Sequence, residues 1–459
     1  MTELQVRTRQ DLEQLFKARG TSHVQVGFTD HTGQLRGKYI SRDKLLNGLD
    51  HGLPMTRNFA AVDFTDAIYP VEGLIVNGGG FGDSVARVVI ESCREVPWEP
   101  PEKNLFFLIE HTGEGVEYDP RVLCRRMVEK AEAMGFRVLL SCELEFRLFN
   151  ETVESLYRKD FKNLELATPV SNYLGVMRQT VWSEFFAEFV DAMEHLGIPI
   201  EVAHWELAPG FAELVPAHAE GLRAADDAVI YKTFAKAFAL RRGLLLSFMA
   251  RYDAHSDGSS CHINLSLRDK DNNPVLHDPS APHTLSENMR HFIGGMQYRM
   301  PEVLLMMAPN INSFKRFVPD IFAPVASSWG IDNRTTSLRV INSSPQALRV
   351  ENRIPGADVN PYLAVACTLA TGLWGIKNRI EPAAETKGNL YAELDNVPDE
   401  LRFPASFTDA IARFRQSAFA REWFGEEFVR FFSANKQEHE LEYRKAITDW
   451  ELRRYLELV

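Results

Sequence analysis

The stretch from Phe136 to Phe149 constrains the fold more than any other in the chain. Its even positions, Phe136, Val138, Leu140, Cys142, Leu144, Phe146 and Leu148, are all apolar, while the odd ones include Arg137, Ser141, Glu143, Glu145 and Arg147. A period of two predicts a strand whose two faces meet different surroundings. Glu143 and Glu145 then leave the same face, with Cα atoms roughly 6.6 Å apart at a rise of about 3.3 Å per residue. Taken alone, such a strand needs no more explanation than one polar face in water.

Two later segments repeat the design. His262, Asn264, Ser266 and Arg268 alternate with Ile263, Leu265 and Leu267, and Arg349, Glu351 and Arg353 oppose Leu348, Val350 and Ile354, with Asn352 the one exception. Three strands bearing carboxylates, an imidazole and guanidiniums on one side imply a shared polar surface with helices packed on the apolar side. Carboxylates beside arginines suit a site that holds metal ions and anionic oxygens together.

At 459 residues the chain is long enough for a large core and more than one domain. A net charge of -12 argues against nucleic acid or an anionic membrane as the main partner. Cys93, Cys124, Cys142, Cys261 and Cys367 are scattered and odd in number, which predicts a reducing compartment without a disulfide framework. The charged N-terminal segment does not read as a signal peptide, and no apolar run approaches the ~20 residues that span a bilayer. The expected location is the cytoplasm.

A helix is predicted over 8–19, strands over 23–29 and 35–40 around the turn Asp30-His31-Thr32-Gly33, and short Gly- and Pro-rich elements over 41–105. The run Asn77–Asp83 lacks the Gly-Lys-Ser/Thr of a phosphate loop and reads as a plain loop. Asp119-Pro120 opens a helix that runs to Gly135 and feeds the Glu143 strand. A helix near 178–196 precedes a strand that Glu206 ends, and Pro209-Gly210 turns the chain so that Glu213 begins its return partner. A helix over 224–242, a strand over 244–251 and a helical tail over 406–458 complete the outline. The expected division falls between about 100 and 120, giving a small N-terminal domain, 1–112, and a large second one, 113–459.

Glu143, Glu145, Glu206, Glu213, His262 and Glu351 are the candidate metal ligands. An oxygen-dominated set of this kind favours Mg²⁺ or Mn²⁺ over zinc. Singly, each is more simply a solvated or packing residue; together, beside clustered arginines, they point to a metal site.

The segments CELEF (142–146), EVAHWELAPGFAE (201–213), DGSSCHINLSL (257–267), NSFKRFVPDIFAP (312–324), DNRTTSLR (332–339) and ALRVENRIPGADVNPYL (347–363) resemble, in order, the motifs of the glutamine synthetase superfamily. The resemblance implies an α+β fold: a small N-terminal β-grasp-like domain, then a catalytic domain with a curved antiparallel sheet backed by helices. It also implies stacked rings (a dodecamer) with sites shared between subunits, and ATP-dependent joining of the glutamate γ-carboxylate to an amine. Carried over by motif, Glu143, Glu206 and Glu213 would hold one divalent ion, and Glu145, His262 and Glu351 a second beside the ATP phosphates. Gly258, Arg316, Arg334 and Arg353 would contact glutamate or the transferred phosphoryl group. Asn264, Arg339 and Arg349 would lie near ATP, with Arg316, Arg334 and Arg339 serving catalysis. Tyr391 resembles a tyrosine that some members adenylylate, although a surface loop tyrosine is the simpler reading.

The departures from ammonia-using members point to the substrate. Those members carry Gly-Gln-x-Glu where this chain has Gly210-Phe211-Ala212-Glu213, and a glutamate in the segment that holds Phe322. An Asp-x-Ser-Ser-like stretch is missing from Leu53–Asp66, whereas Asp30–Lys38 resembles the D-x-x-G-x-x-R-G-K of γ-glutamyl-polyamine and γ-glutamyl-monoamine ligases. A phenyl in place of a carboxylate removes the cage that ammonium needs and adds apolar surface, worth about 1.5–3 kcal/mol if an alkyl group covers it. The expected substrate is therefore an organic amine, a monoamine before a polyamine. Deprotonating an amine of pKa near 10.4 at pH 7 costs roughly 4.6 kcal/mol, so a base is required. Asp63 and Asp66 could supply it from a neighbouring subunit, and Asp320 could hold the far ammonium of a polyamine. Two rivals remain at this stage: a non-catalytic relative, which should have lost metal ligands, and a glycosidase, to which paired carboxylates also belong.

Overall fold

The computed structural model describes Leu4 and residues 6–56, 62–69, 82–113 and 115–459. Residues 77–81 of the glycine-rich run and 57–61 of the Leu53–Asp66 stretch lie outside the described residues.

The described residues form two sheets. The first contains β1 (His23–Thr29), β2 (Leu35–Ser41), β3 (Leu53–Thr56), β4 (Asp83–Val88), β5 (Arg94–Glu95) and β6 (Leu105–Thr112), in the order β2-β1-β6-β4-β3 with β5 also on β6. β1 runs antiparallel to β2 and parallel to β6. Helices α1 (Arg9–Arg19) and α2 (Arg42–His51) accompany it. Thr8 and Asp11 cap α1 reciprocally through side chain and backbone, which fixes its start where the sequence places it.

The second sheet carries the polar faces. It comprises β7 (Arg137–Phe149), β8 (Ile200–Trp205), β9 (Phe211–Pro216), β10 (Ala219–Glu220), β11 (Leu245–Ser247), β12 (Cys261–Arg268), β13 (Trp329–Ile331), β14 (Leu338–Ile341) and β15 (Arg349–Asn352). The order β13-β14-β15-β12-β7-β9-β8, with β10 and β11 also on β7, makes a curled half-barrel that is antiparallel apart from the β13–β14 pair.

The helices that follow the first sheet are α3 (Pro120–Ala133), α4 (Val153–Arg158), α5 (Val176–Val181), α6 (Ser183–His195), α7 (Arg223–Leu240), α8 (Glu287–Val303), α9 (Ile311–Phe314) and α10 (Pro361–Asn378). The even residues of β7 from Val138 to Leu148 are buried in the core that α3, α7 and α10 share. Asn352, the polar exception on its apolar face, donates through Nδ2 to Thr368 Oγ1 of α10 at 2.9 Å, so its amide is satisfied inside the core. α8 and α10 touch backbone to backbone: a Cβ on Gly295 would meet Thr371 O at 2.3 Å and one on Gly375 would meet His291 O at 2.1 Å. Only glycine allows that approach.

Several expected elements have different bounds. The helix near 178–196 is two, α5 and α6, broken at Trp182, whose φ/ψ of -103°/17° is not helical. The strand over 244–251 shrinks to β11. β8 stops at Trp205, so Glu206 lies just past its end, and Glu213 sits in the middle of β9 rather than at its start. Asp226 lies in the first turn of α7 and Asp227 just beyond it, and both are buried clamps. Asp226 accepts from Arg121 and from Tyr362 Oη, and Asp227 from Arg94 and Arg223. The tail folds as α11 (Phe407–Gln416), α12 (Ala418–Phe424), α13 (Glu426–Lys445) and α14 (Asp449–Tyr455). Among the described residues no helix is long and apolar enough to cross a membrane.

Candidate active site

Strand register brings the ligand candidates together. Directly opposed residues of an antiparallel pair share a face, with Cβ atoms about 4.5–5.5 Å apart. His204 opposes Glu213 across β8 and β9, Glu213 opposes Glu145 across β9 and β7, and Glu143 opposes His262 across β7 and β12. Asn264 then opposes Glu351 across β12 and β15, and Glu351 opposes Arg339 across β15 and β14. A single polar row therefore crosses six adjacent strands.

That row floors a cavity of about 480 Å³, where Glu143, Glu145, Glu206, Glu213, His262 and Glu351 all line the wall. Ligand atoms of Glu143, His262 and Glu351 lie within 4.8 Å of one another, as do those of Glu145, Glu213 and His262, and those of His204, Glu206 and Glu213. Sequence analysis paired Glu143 with Glu206 and Glu213, and Glu145 with His262 and Glu351. The structure keeps Glu145 with His262 and Glu206 with Glu213, but it moves Glu143 to His262 and Glu351 and brings Glu145 to Glu213, because register sets Glu143 opposite His262 and Glu145 opposite Glu213. His204 was missed in the sequence. Its Nδ1 is 3.4 Å from Glu206 and its Nε2 is 3.2 Å from Glu213, and the signal was its place two residues before Glu206 on the polar face of a strand.

The electrostatics suit cations. Burial, with Glu145 and Glu213 close by, pushes the Glu206 carboxyl up to about 7. Burial also raises Glu213, against the pull of His204. Burial works the same way on Glu351, but Arg353, His262 and Arg339 outweigh it and hold that carboxyl below its ordinary value. Carboxylates that raise one another's proton affinity are stabilised by a divalent ion, which supplies the missing positive charge. The donor set, mostly carboxylate oxygens with His262 Nδ1 at 3.4 Å from Glu351 and 3.6 Å from Glu143, fits a divalent cation.

The arginines separate into three kinds. Arg339 donates to Asp332 and Glu351, and Arg353 to Glu351 at 2.7 Å and to Phe322 O at 3.3 Å; both line the cavity. Arg334 lines it as an exposed side chain. Arg349 lies in an adjoining cavity of about 350 Å³ together with Asn264, and Glu143 lines both cavities. Arg349 Nε donates to Asn264 Oδ1 at 2.8 Å, and Asn264 Nδ2 to Glu143 Oε1 at 2.7 Å. Arg316 departs from expectation. Fully buried, it donates to Ile354 O at 2.7 Å, Arg353 O at 2.8 Å and Ser260 Oγ at 2.8 Å, and it does not line the cavity.

Gly258, Phe211 and Phe322 line the cavity, joined by Tyr173, Leu207 and Asp257, which the sequence did not flag. Tyr391 is half-buried, and its hydroxyl donates to Ala323 O at 2.9 Å, anchoring the loop that carries Phe322. Asp63 and Asp66 are already engaged: Asp63 accepts from Thr65, Ala67 and Tyr69, and Asp66 from Arg36 at 2.6 Å. The Asp30–Lys38 motif forms the β1–β2 turn. Its Asp30 side chain gathers Thr32, Gln34 and Arg36, and Asn360, the N-cap of α10, donates to Asp30 O at 2.9 Å.

A curled antiparallel sheet whose polar row combines a carboxylate cluster with arginines defines the class. The chain belongs to the glutamine synthetase family: the family description "Glutamine synthetase, catalytic domain" matches residues 117–455. It is 34% identical over 443 residues to a glutamate–isopropylamine ligase of Pseudomonas sp, covering 95% of each chain. It is 35% identical over 454 residues to a gamma-glutamylethanolamide synthetase of Streptomyces coelicolor, covering 98% of this chain and 95% of that one. Among solved structures, a GmaS/ADP complex superposes with a TM-score of 0.83 at 24% identity, and GmaS without ligand with 0.81 at 25%; each match covers 97% of this chain and 99% of the other.

Proposed function

We propose that this chain joins the γ-carboxylate of L-glutamate to an organic amine, a monoamine before a polyamine, using ATP and giving a γ-glutamylamide, ADP and phosphate. The observation that carries the reading is the polar row, which together with Glu206 and Arg353 just beyond the strand ends gathers six metal-ligand candidates and two arginines around one cavity that adjoins a second through Glu143. Glutamate would lie beside Gly258, Arg334 and Arg353, and the nucleotide beside Asn264, Arg339 and Arg349. Arg316 would act on this site through Ser260 rather than by touching substrate.

The γ-carboxylate is a poor acyl donor, so its oxygen first takes the terminal phosphoryl group of ATP to form γ-glutamyl phosphate. Glu143, His262 and Glu351, and Glu145, Glu206 and Glu213, would hold divalent metal, which would supply positive charge against the transferring phosphoryl oxygens. Arg339 and Arg353 add fixed guanidiniums, and their pairing with Glu351 holds them in position before substrate binds. The amine then displaces phosphate. Phe211, Phe322, Leu207 and Tyr173 exclude water that would hydrolyse the acyl phosphate, and they offer apolar surface to an alkyl group.

Further parts of the reading are a division into an N-terminal β-grasp-like domain, 1–112, and a catalytic domain, 113–459, and assembly into stacked rings. The end of β6 at Thr112 and the exposed Ile447, Trp450, Leu456 and Leu458 of the tail support these. The five buried, unpaired cysteines support a cytoplasmic, reducing location.

The test is ADP formation with glutamate and a panel of amines. Turnover should be higher with isopropylamine or ethanolamine than with ammonium at equal concentration. Turnover highest with ammonium overturns the amine reading, and no glutamate-dependent ADP formation with any amine overturns the ligase.

A further inference from the structure

Joining an amine requires that the cation lose a proton inside the site, and the acids that could accept it are nearly all committed. Glu143, Glu145, Glu206, Glu213 and Glu351 belong to the metal set. The Asp63 carboxylate is filled by the donors of its own turn, and Asp66 is held by Arg36. Asp257 differs. It lines the same cavity, and no described hydrogen bond or ion pair engages its carboxylate.

Its surroundings are those an alkylammonium needs. Arg147, whose guanidinium lies 4.1 Å over the Phe211 ring, donates to the Asp257 carbonyl, to Pro209 O at 2.8 Å and to Ser256 Oγ at 3.1 Å. One arginine thus ties the backbone of Asp257 to the apolar wall of Phe211. The next residue, Gly258, is wedged where a Cβ would meet Ala250 O at 2.6 Å and Arg316 Cγ at 2.9 Å, so the loop has little room to shift. A pinned carboxylate beside aromatic surface can bind the charged head of an amine while its tail is desolvated.

We propose that Asp257 receives the amine and removes its proton, as a further catalytic residue; this rests on the ligase reading above. The alkylammonium passes one N–H proton to an Asp257 oxygen, which leaves the electron pair on nitrogen. Nitrogen attacks the γ-carbonyl carbon of γ-glutamyl phosphate and the C–N bond forms. The bond from that carbon to the bridging oxygen breaks, its pair goes to phosphate, and a second N–H proton leaves with phosphate. The proton on Asp257 returns to solvent as product departs.

The charged environment is consistent with this role. Glu145 faces Asp257 with like charge, Arg147 and Arg251 with opposite charge, and Tyr391 as a neighbouring phenol. Burial and Glu145 together push the carboxyl up to about 6, so at neutral pH it is still charged yet holds a proton better than an ordinary carboxylate.

The experiment compares wild type with Asp257→Asn and Asp257→Glu, using ATP, glutamate and either isopropylamine or hydroxylamine, which is uncharged at neutral pH. With isopropylamine at pH 7, Asp257→Asn should lose ~100-fold or more of the rate, while γ-glutamyl hydroxamate formation changes by less than about threefold. The isopropylamine deficit should shrink as pH rises towards 9, and Asp257→Glu should retain more activity than Asp257→Asn. Equal loss with both nucleophiles, or no loss with isopropylamine, overturns the proposal. Wild type that forms neither product overturns the ligase reading and this inference with it. Wild type that forms both leaves the variants to decide Asp257 alone.

Discussion

Glu145 and Ser260 hold each other twice: the Ser260 N–H donates to Glu145 Oε2 at 2.6 Å, and the Glu145 N–H donates to Ser260 O at 3.0 Å. Arg316 adds a third tie by donating to Ser260 Oγ. A ligand candidate is therefore fixed by the chain that leads into the next strand, and Arg316 braces that chain. Arg316→Met should leave the carbonyls of Arg353 and Ile354 buried without their donor, at about 1–3 kcal/mol for each unsatisfied group. The expected result is a melting temperature lowered by several degrees in a thermal shift assay. A raised KM for glutamate with unchanged melting would instead mean that Arg316 touches substrate.

Glu143 connects the two cavities: its Oε1 accepts from Asn264 Nδ2 at 2.7 Å, and it stands with His262 and Glu351 in one group of candidate ligands. Replacing it with alanine removes a charge from the site but no core packing. Glutamate-dependent ADP formation should fall by ~100-fold or more, since metal ions contribute several kcal/mol to such reactions. Size-exclusion chromatography should give the same elution volume as wild type.

Phe322 is 50% exposed at the cavity mouth, with a left-handed φ of 54° that its Tyr391-anchored loop maintains. Phe322→Glu replaces apolar surface with a carboxylate. The KM for isopropylamine should rise by about tenfold or more, as expected from losing 1.5–3 kcal/mol of apolar contact. Activity with ammonium should not fall in parallel, and the ratio of the two, measured on one preparation, is the reading that decides.

Glu151 follows the central strand β7 and is 1% exposed. It accepts from Lys159 Nζ at 2.6 Å, from Ser155 Oγ and from the Glu165 N–H at 2.7 Å. Those donors, Lys159 first, hold its carboxyl down to about 2, from an ordinary 4.5. A carboxyl depressed on folding stabilises the fold above its unfolded value, and the contribution is lost as pH falls through the folded one. The melting temperature of Glu151→Gln should therefore lie below wild type at pH 6, with the gap closing between pH 4.5 and 2. A gap that stays constant through that window would show that the charge contributes nothing.

The alternation at 136–149, 262–268 and 348–354 settled by itself which side chains share a face, because a strand can point successive residues only to opposite sides. The six ligand candidates, the residues Gly258, Phe211 and Phe322, and the cap Asp119 were legible on that basis or by motif. Neighbour relations were not. Which strand lies beside β7, and in what register, depends on contacts between residues far apart in the chain, and that register decided that Glu143 groups with His262 and Glu145 with Glu213. The fate of Arg316 was equally hidden, since a guanidinium serves carbonyls or a substrate anion with the same donors and only its burial chooses. Asp257, Tyr173 and Leu207 lie on irregular segments without periodicity, so only the folded chain could bring them to the cavity wall.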